Sequence, residues 1–351
     1  MTDGEAAGTR AGRAPTIRDV AERAGVSKSL VSSVLQGKGR VSDASRALIL
    51  QTIEELGYRP NSRARALSKK RSDTIGIVLN DLSNPWFIDL LAGLSATLHS
   101  SGLSPLLTDR ATDDRIGVSS VEKLLAQDVD GLVLVGTMAH DQAVVRAATK
   151  LPVVLAGTRD PDVGAADVVV NDDVAGTRSA TEHLLSLGHT RIGHLSGAGE
   201  IGGHGKIGAL RREGFRSAMI DAGLDPDVYI ELGCTSEESG FAAARRLLTR
   251  SDRPTAILAF NDMAAIGAMS AADDLGLRIP EDVSLVGYDN TYIARIRHLS
   301  LTSIDNGSFA VGAQAGRFLI ERLATPSLPA RIHLVTPRLE VRGSTSAPRT
   351  S

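Results

Sequence analysis

Residues 16–36 read TIRDVAERAGVSKSLVSSVLQ, a stretch that encodes two short helices and a tight turn between them. Thr16 followed three residues later by Asp19 is a capping-box variant, because each side chain can reach the other's free backbone amide. Ile17, Val20, Ala21 and Ala24 then fall on one helical face before Gly25 ends the helix. Ser27 is positioned to cap a second helix, in which Val31, Val34 and Leu35 face inward. A third helix is expected from about Ser42 to Leu56, with Leu48, Ile49, Ile53 and Leu56 as its apolar stripe and Gly57 as its stop. The spacing of Ala21, Gly25 and Val31 is that of a helix-turn-helix: a small residue lets two helices approach, glycine turns the chain, and valine pins the second helix to the first. Its second helix would enter a major groove by its first turn, with Lys28, Ser29 and Ser33 nearest the base edges and Ser32 beside them.

Charge supports that reading. Residues 1–71 carry 14 Lys or Arg against 7 Asp or Glu, leaving 25 of the chain's 39 basic and 34 of its 41 acidic residues for the remainder. A head of net +7 suits a polyanion, whereas a remainder of net −9 would be repelled by one. The first 15 residues lack periodicity and are expected to form a disordered tail, so the DNA-binding domain spans 16–60 and a polar linker 61–72.

Beyond the linker, short apolar strands alternate with amphipathic helices. Strands are expected at 75–79, 103–107, 131–135, 153–156, 168–170, 191–195, 229–232, 256–260 and 284–288. The spacing leaves room for crossover helices, which implies an α/β core of parallel sheets with helices on both faces. Nine strands exceed one compact sheet of this kind, so two parallel-sheet subdomains are expected: the first at about 73–170 and 304–330, the second at about 171–303 and 331–343. Residues 344–351 read as a tail. With only 6 Phe, 4 Tyr and 1 Trp, the cores must be packed from Ala, Val, Leu and Ile at close range. Ligands in such folds bind beyond the carboxyl ends of the strands, which here read Asn80, Asp81, Gly157, Asn171, Asp172, Gly197, Asn261, Asp262 and Asp289. That set suits a hydroxylated ligand.

The segments TIRDVAERAGVSKSLVSSVLQGKGRVSDASRALILQTIEELGYRPNSRARAL, IGIVLNDLSNPWF, TEHLLSLGHTRIGHLSG, ALRREGF, AILAFNDMAAIGAM and DVSLVGYDN together resemble the lactose-repressor (LacI/GalR) family of bacterial transcription regulators. The resemblance runs through essentially the whole chain after residue 15. It implies a sequence-specific, ligand-responsive repressor, with a core like the type I periplasmic sugar-binding proteins. It implies DNA contacts at Thr16, Ser27, Lys28, Ser29, Ser32 and Ser33, and a hinge helix in YRPNSRARALSKK, capped by Asn61, with Ala64 and Leu67 on one face. Leu67 would wedge into a base step from the minor groove. Such a helix is too short to persist alone and should form on a dimer bound to DNA. The resemblance further implies an effector pocket with Trp86 and Phe87 as an aromatic wall, faced by Arg211, Asn261 and Asp289. Arginine and aspartate would offer a rigid donor fork and a pure acceptor to vicinal hydroxyls. Ser33 stands where arginine is common and Leu30 where threonine is common, which changes the operator this chain would read. The expected partners are pseudo-palindromic operator DNA, a small effector of the sugar class and a second copy of the chain.

The competing class is a sugar- or dinucleotide-processing enzyme carrying an accessory head. GAGEIG at 197–202 fits G-x-G-x-x-G, but glycines continue through Gly208, so no helix starts where pyrophosphate would need one. GHGK at 203–206 lacks the other residues of a phosphate-binding loop. No G-x-S-x-G or H-E-x-x-H occurs, and His183, His189 and His194 lack a carboxylate or thiolate arrangement for a metal. Cys234 is the single cysteine and reads as apolar filler. No cofactor, metal or membrane segment is expected, and the site of action is the cytoplasm.

Overall fold

The computed structural model describes residues 15–35, 40–58, 71–136, 141–158, 163–164, 166–197 and 205–349. The chain divides into two units, between Ser72 and Asp73. The first contains α1 (Ile17–Arg23), α2 (Lys28–Leu35) and α3 (Asp43–Leu56). Thr16 and Asp19 form the full capping box, Ser27 Oγ accepts from Leu30 N at 3.2 Å, and Ser42 caps α3. Gly25 and Gly57 take the left-handed conformation that ends a helix. Val20, Ala21, Ala24, Val31, Val34 and Ile49 make the core of this unit. Leu48 is a correction: it is 47% exposed, and Thr52 is buried instead, its hydroxyl returned to Leu48 O at 2.8 Å. The expected hinge residues Asn61, Ala64 and Leu67 lie outside the described residues.

The second unit contains two six-stranded sheets. β1 (Thr74–Leu79), β2 (Ser104–Asp109), β3 (Gly131–Val135), β4 (Val153–Ala156), β5 (Asp167–Asn171) and β11 (Ile332–Val335) form the first, in the order β11-β5-β4-β3-β1-β2 and parallel throughout. β6 (Ile192–Leu195), β7 (Ile230–Glu231), β8 (Ala256–Ala259), β9 (Ser284–Tyr288), β10 (Thr302–Asp305) and β12 (Arg338–Glu340) form the second, in the order β12-β10-β9-β8-β6-β7. β12 is its one antiparallel strand, opposite β10. Helices α4 (Trp86–Ser100), α5 (Arg110–Arg115), α6 (Ser120–Leu125) and α7 (Gln142–Ala148) belong to the first subdomain. The second holds α8 (Asp173–Ser186), α9 (Gly205–Asp221), α10 (Glu237–Leu248) and α11 (Asp262–Asp274). α12 (Ser308–Ala324) returns to the first and packs along α4. Their axes approach so closely that a methyl placed on Gly312 would lie 2.0 Å from Leu90 O. Close packing through small residues is what a chain poor in aromatics requires.

The observed subdomain boundaries correct the expected ones. β10 keeps the chain in the second sheet through Asp305, and β11 pairs with β5, so residues 331–335 belong to the first subdomain rather than the second. Three crossings therefore join the subdomains, at 171–173, 305–308 and 335–338. Asp167 anchors the returning segment: fully buried, it receives Arg322 at 2.7 Å and Arg331 at 3.0 Å. Burial alone would raise its carboxyl, but the hydrogen bonds from both arginines outweigh that and hold it below the usual range. Residues 344–349 are also not a loose tail. Leu285 N donates to Ser344 O at 2.8 Å, Ser346 N to Ser284 Oγ at 3.0 Å, and Arg349 pairs with Asp282 at 2.8 Å.

Candidate functional site

A cavity of about 370 Å³ lies between the two subdomains, at the carboxyl ends of both sheets. Trp86 and Phe87 open α4 on its first-subdomain side and meet edge to face, with ring centroids 5.2 Å apart. Both belong to the hydrophobic core and also line the cavity. Gly157 explains how the indole fits: it has φ +69°, and a methyl there would lie 2.5 Å from Trp86 Cη2.

On the opposite side, Arg211 projects from α9 and is held by groups of the protein itself. Its Nε donates to Asp173 Oδ1 at 2.9 Å, one terminal nitrogen to Phe260 O, and the other faces Asp289 Oδ1 at 3.6 Å. The guanidinium lies over the Tyr288 ring, 3.6 Å from its centroid, with Phe260 at 4.6 Å. Burial opposes its charge, yet the neighbouring Asp173, Tyr288 and Asp289 raise its pKa. The pairing with Asp289 is thus internal to the second subdomain, not a bridge between the two.

Asp289 and Asn290, beyond β9, both have positive φ, +99° and +47°, a strained backbone of the kind that clusters at functional sites. Burial pushes the Asp289 carboxyl up to about 8, with Arg211 offsetting only part of it. The expected pure acceptor is therefore protonated at neutral pH and can also donate. Asn261 lines the cavity, but its amide is occupied: Oδ1 accepts from Ala264 N at 2.8 Å as the cap of α11, and Nδ2 donates to Thr235 O at 3.0 Å.

Of the remaining strand-end residues, Asn80, Asp81, Gly157 and Asn171 line the cavity; Asp172 caps α8 instead. Asp262 lies beneath the site, receiving Ser303 Oγ at 2.6 Å and Thr291 N at 2.7 Å, and burial pushes its carboxyl up to about 6. Several lining residues escape the sequence reading, and two of them organise the site. Asp173 begins α8 and grips Arg211. Asn306, on the second crossing, accepts from Trp86 Nε1 at 3.0 Å and donates to Asp289 Oδ1 at 2.9 Å. Asn171 Nδ2 in turn donates to Asn306 O. The absent signal for Asn306 is its strand: once β10 is recognised, Asn306 is a strand-end residue like the others.

In the first unit, Lys28 and Ser29 are exposed on the first turn of α2, and Ser32 and Ser33 are half-buried. Thr16 and Ser27 spend their hydroxyls on caps, and Leu30 packs against the small core. No group of three or more metal-ligating side chains occurs among the described residues. Residues 198–204, which hold most of the glycine-rich motif, lie outside them. Cys234 is buried, and burial pushes its thiol up to about 12, far from a nucleophile.

Residues 16–61 match the model of bacterial regulatory proteins of the lacI family, and residues 181–345 match the periplasmic binding protein-like domain. The ribose operon repressor of Escherichia coli is 34% identical over 333 residues, covering 94% of this chain and 99% of the repressor. The crystal structure of the lac repressor dimer bound to operator and an anti-inducer is similar at TM-score 0.80 and 28% identity, covering 95% of this chain and all of that one. A LacI family regulator from Enterococcus faecium with bound ribose is similar at TM-score 0.70 and 27% identity, covering 79% of this chain and all of that one.

Proposed function

The chain belongs to the LacI family of bacterial regulatory proteins, and on that premise we propose that it is a dimeric repressor whose grip on operator DNA is set by a small sugar in the interdomain cleft. One observation carries the sensing part of this reading. Trp86 of the first subdomain and Arg211 and Asp289 of the second face a single cavity. A ligand touching both sides binds the open and closed arrangements unequally, and only such a ligand can shift an equilibrium between them. The indole offers an apolar face for a sugar ring, and Asn306 and a protonated Asp289 offer donors and acceptors to hydroxyls.

The head supports DNA binding through its capped α2, its exposed Lys28 and its basic balance. Two heads on a dimer would read the two halves of a pseudo-palindrome. The linker then carries closure of the cleft to the heads, with Asn61, Ala64 and Leu67 assigned to the hinge contact. The chain acts by binding alone, in the cytoplasm where its operator lies, and needs no cofactor.

Selection of duplexes from a random-sequence library with the full chain, followed by titration of the winner from low to physiological salt, tests this. A palindromic winner whose affinity falls steeply with salt is expected, because phosphate contacts release counterions. Failure to enrich any sequence, or a flat salt response, would sink the proposal.

A further inference from the structure

A phosphate or carboxylate on a ligand is normally held by free helix N-termini or by arginine and lysine. In this cleft four helix starts have an amide accepted by the protein's own side chains, and the one arginine is paired with the protein's own carboxyls. The amide of Trp86 at the start of α4 donates to Asn84 Oδ1 at 3.0 Å. Asp172 caps α8, and Asp173 occupies its first turn. Ser236 caps α10, followed at once by Glu237 and Glu238. Asn261 caps α11, followed by Asp262. Each of these four helix starts thus has one amide accepted by a side chain of the protein itself, and three of the four carry acidic residues immediately after the cap.

Positive charge is scarce in the same lining. Arg211 is the one basic side chain among the described cavity-lining residues; Asp173 Oδ1 and Phe260 O accept from its Nε and one terminal nitrogen, and the other terminal nitrogen is ion-paired with Asp289 at 3.6 Å. Against it stand five carboxyls: Asp81 from the first subdomain, and Asp173, Glu237, Glu238 and Asp289 from the second. With Asp289 neutral, four remain. Asp81 and the Glu237–Glu238 pair approach the cavity from opposite subdomains, so a ligand cannot avoid both by binding to one wall.

Resting on the sugar-sensing reading above, we propose that the effector is an uncharged or ammonium-bearing sugar and that the cleft rejects the phosphorylated form of the same sugar. A phosphate dianion entering this cleft would meet an excess of like charge and a single arginine already ion-paired with Asp173 and Asp289, whereas hydroxyls carry no charge to be repelled. An ammonium group would find the carboxylates of Asp81, Glu237 and Glu238 without displacing any existing pair.

Matched series test this with the full chain: D-ribose against ribose 5-phosphate, and D-glucose, D-galactose and D-mannose each as free sugar, 2-amino sugar and 6-phosphate. Binding is read from the shift in unfolding midpoint and from the emission of Trp86, the only tryptophan in the chain. At least one free or amino form should bind, with its phosphate at least tenfold weaker. In the triple variant Asp81→Asn, Glu237→Gln, Glu238→Gln that gap should narrow at least threefold. A phosphate that binds as tightly as its parent sugar, or a gap unchanged in the variant, overturns the charge selectivity and leaves sugar sensing intact. Absence of binding by every form overturns the sugar-sensing reading itself.

Discussion

Trp86 Nε1 donates to Asn306 Oδ1 at 3.0 Å, joining the aromatic wall of one subdomain to the chain segment that crosses between them. Asn306 Nδ2 passes the contact on to Asp289. Asn306→Leu keeps the approximate volume and removes both bonds. It should cost about 1–3 kcal/mol of stability, since the Trp86 indole and the Asp289 carboxyl each lose a buried partner. Trp86 emission should shift, and the best free sugar should bind at least tenfold more weakly. Fluorescence titration beside chemical denaturation checks this; unchanged sugar affinity would show that the asparagine serves packing only.

The guanidinium of Arg211 is the partner of two buried carboxyls, Asp173 and Asp289. Arg211→Met should destabilise the core by about 3–5 kcal/mol at pH 8, because carboxylates are left buried without a cation. At pH 5 the loss should be smaller, because Asp289, whose carboxyl burial raises to about 8, is then protonated and needs no cation. Unfolding free energies at the two pH values decide the matter, and an equal loss at both would rule out unpaired charge as the cause.

His194 on β6 is stacked on Phe215 at 4.9 Å and buried, and burial lowers its pKa to about 4. Between its unfolded value near 6.5 and about 4, the unfolded chain binds a proton that the folded chain refuses. Stability from this residue therefore falls as pH drops through that window, by up to about 3 kcal/mol. Asp289 and Asp262 act in the opposite sense there, since their raised carboxyls hold protons in the folded state. The contribution of His194 consequently appears as a difference: His194→Phe should gain on the parent protein steadily from pH 7 to pH 4.5. Parallel stability curves for the two proteins would contradict it.

Leu67 and Lys28 separate two modes of DNA contact. Leu67→Ala should leave the unfolding midpoint and sugar binding unchanged while lowering operator affinity and bending. Lys28→Ala should weaken binding unequally across operator variants, because it stands at the base edges. Electrophoretic titration with a set of single-site operator variants reads both. Equal loss on every variant would demote Lys28 to a phosphate contact, and a lowered midpoint for Leu67→Ala would make that leucine a packing residue.

The head was legible almost to the residue, because its caps and stop signals are local: Thr16 with Asp19, Ser27, Ser42, Gly25 and Gly57 each act within four positions. Trp86, Arg211 and Asp289 were found through family resemblance, and the fold brings all three to one cavity. What escaped depends on distant partners. β10 reads TSID, with Ile304 its only apolar residue; its burial is satisfied by Ser303 on Asp262 and by Thr302 on Ser344, contacts that no periodicity encodes. β11 is an exposed edge with Ile332 65% accessible, and β12 has three residues. Missing β10 also hid Asn306. The proton on Asp289 depends on burial by elements far apart in the chain, so residue type alone suggested an acceptor.

β11 and β12 are both edge strands, one in each sheet, and they are the last strands of the chain. Protein synthesis runs in the same direction. Until residues 331–340 have been made, each sheet has five strands, β5 and β10 each lack a neighbour, and Asp167 lacks Arg331. The two halves of the cleft are thus finished by the same short piece of chain, almost simultaneously, although the first half begins more than a hundred residues before the second. A premature stop anywhere between 172 and 331 leaves both subdomains incomplete, however much of the first has already been translated.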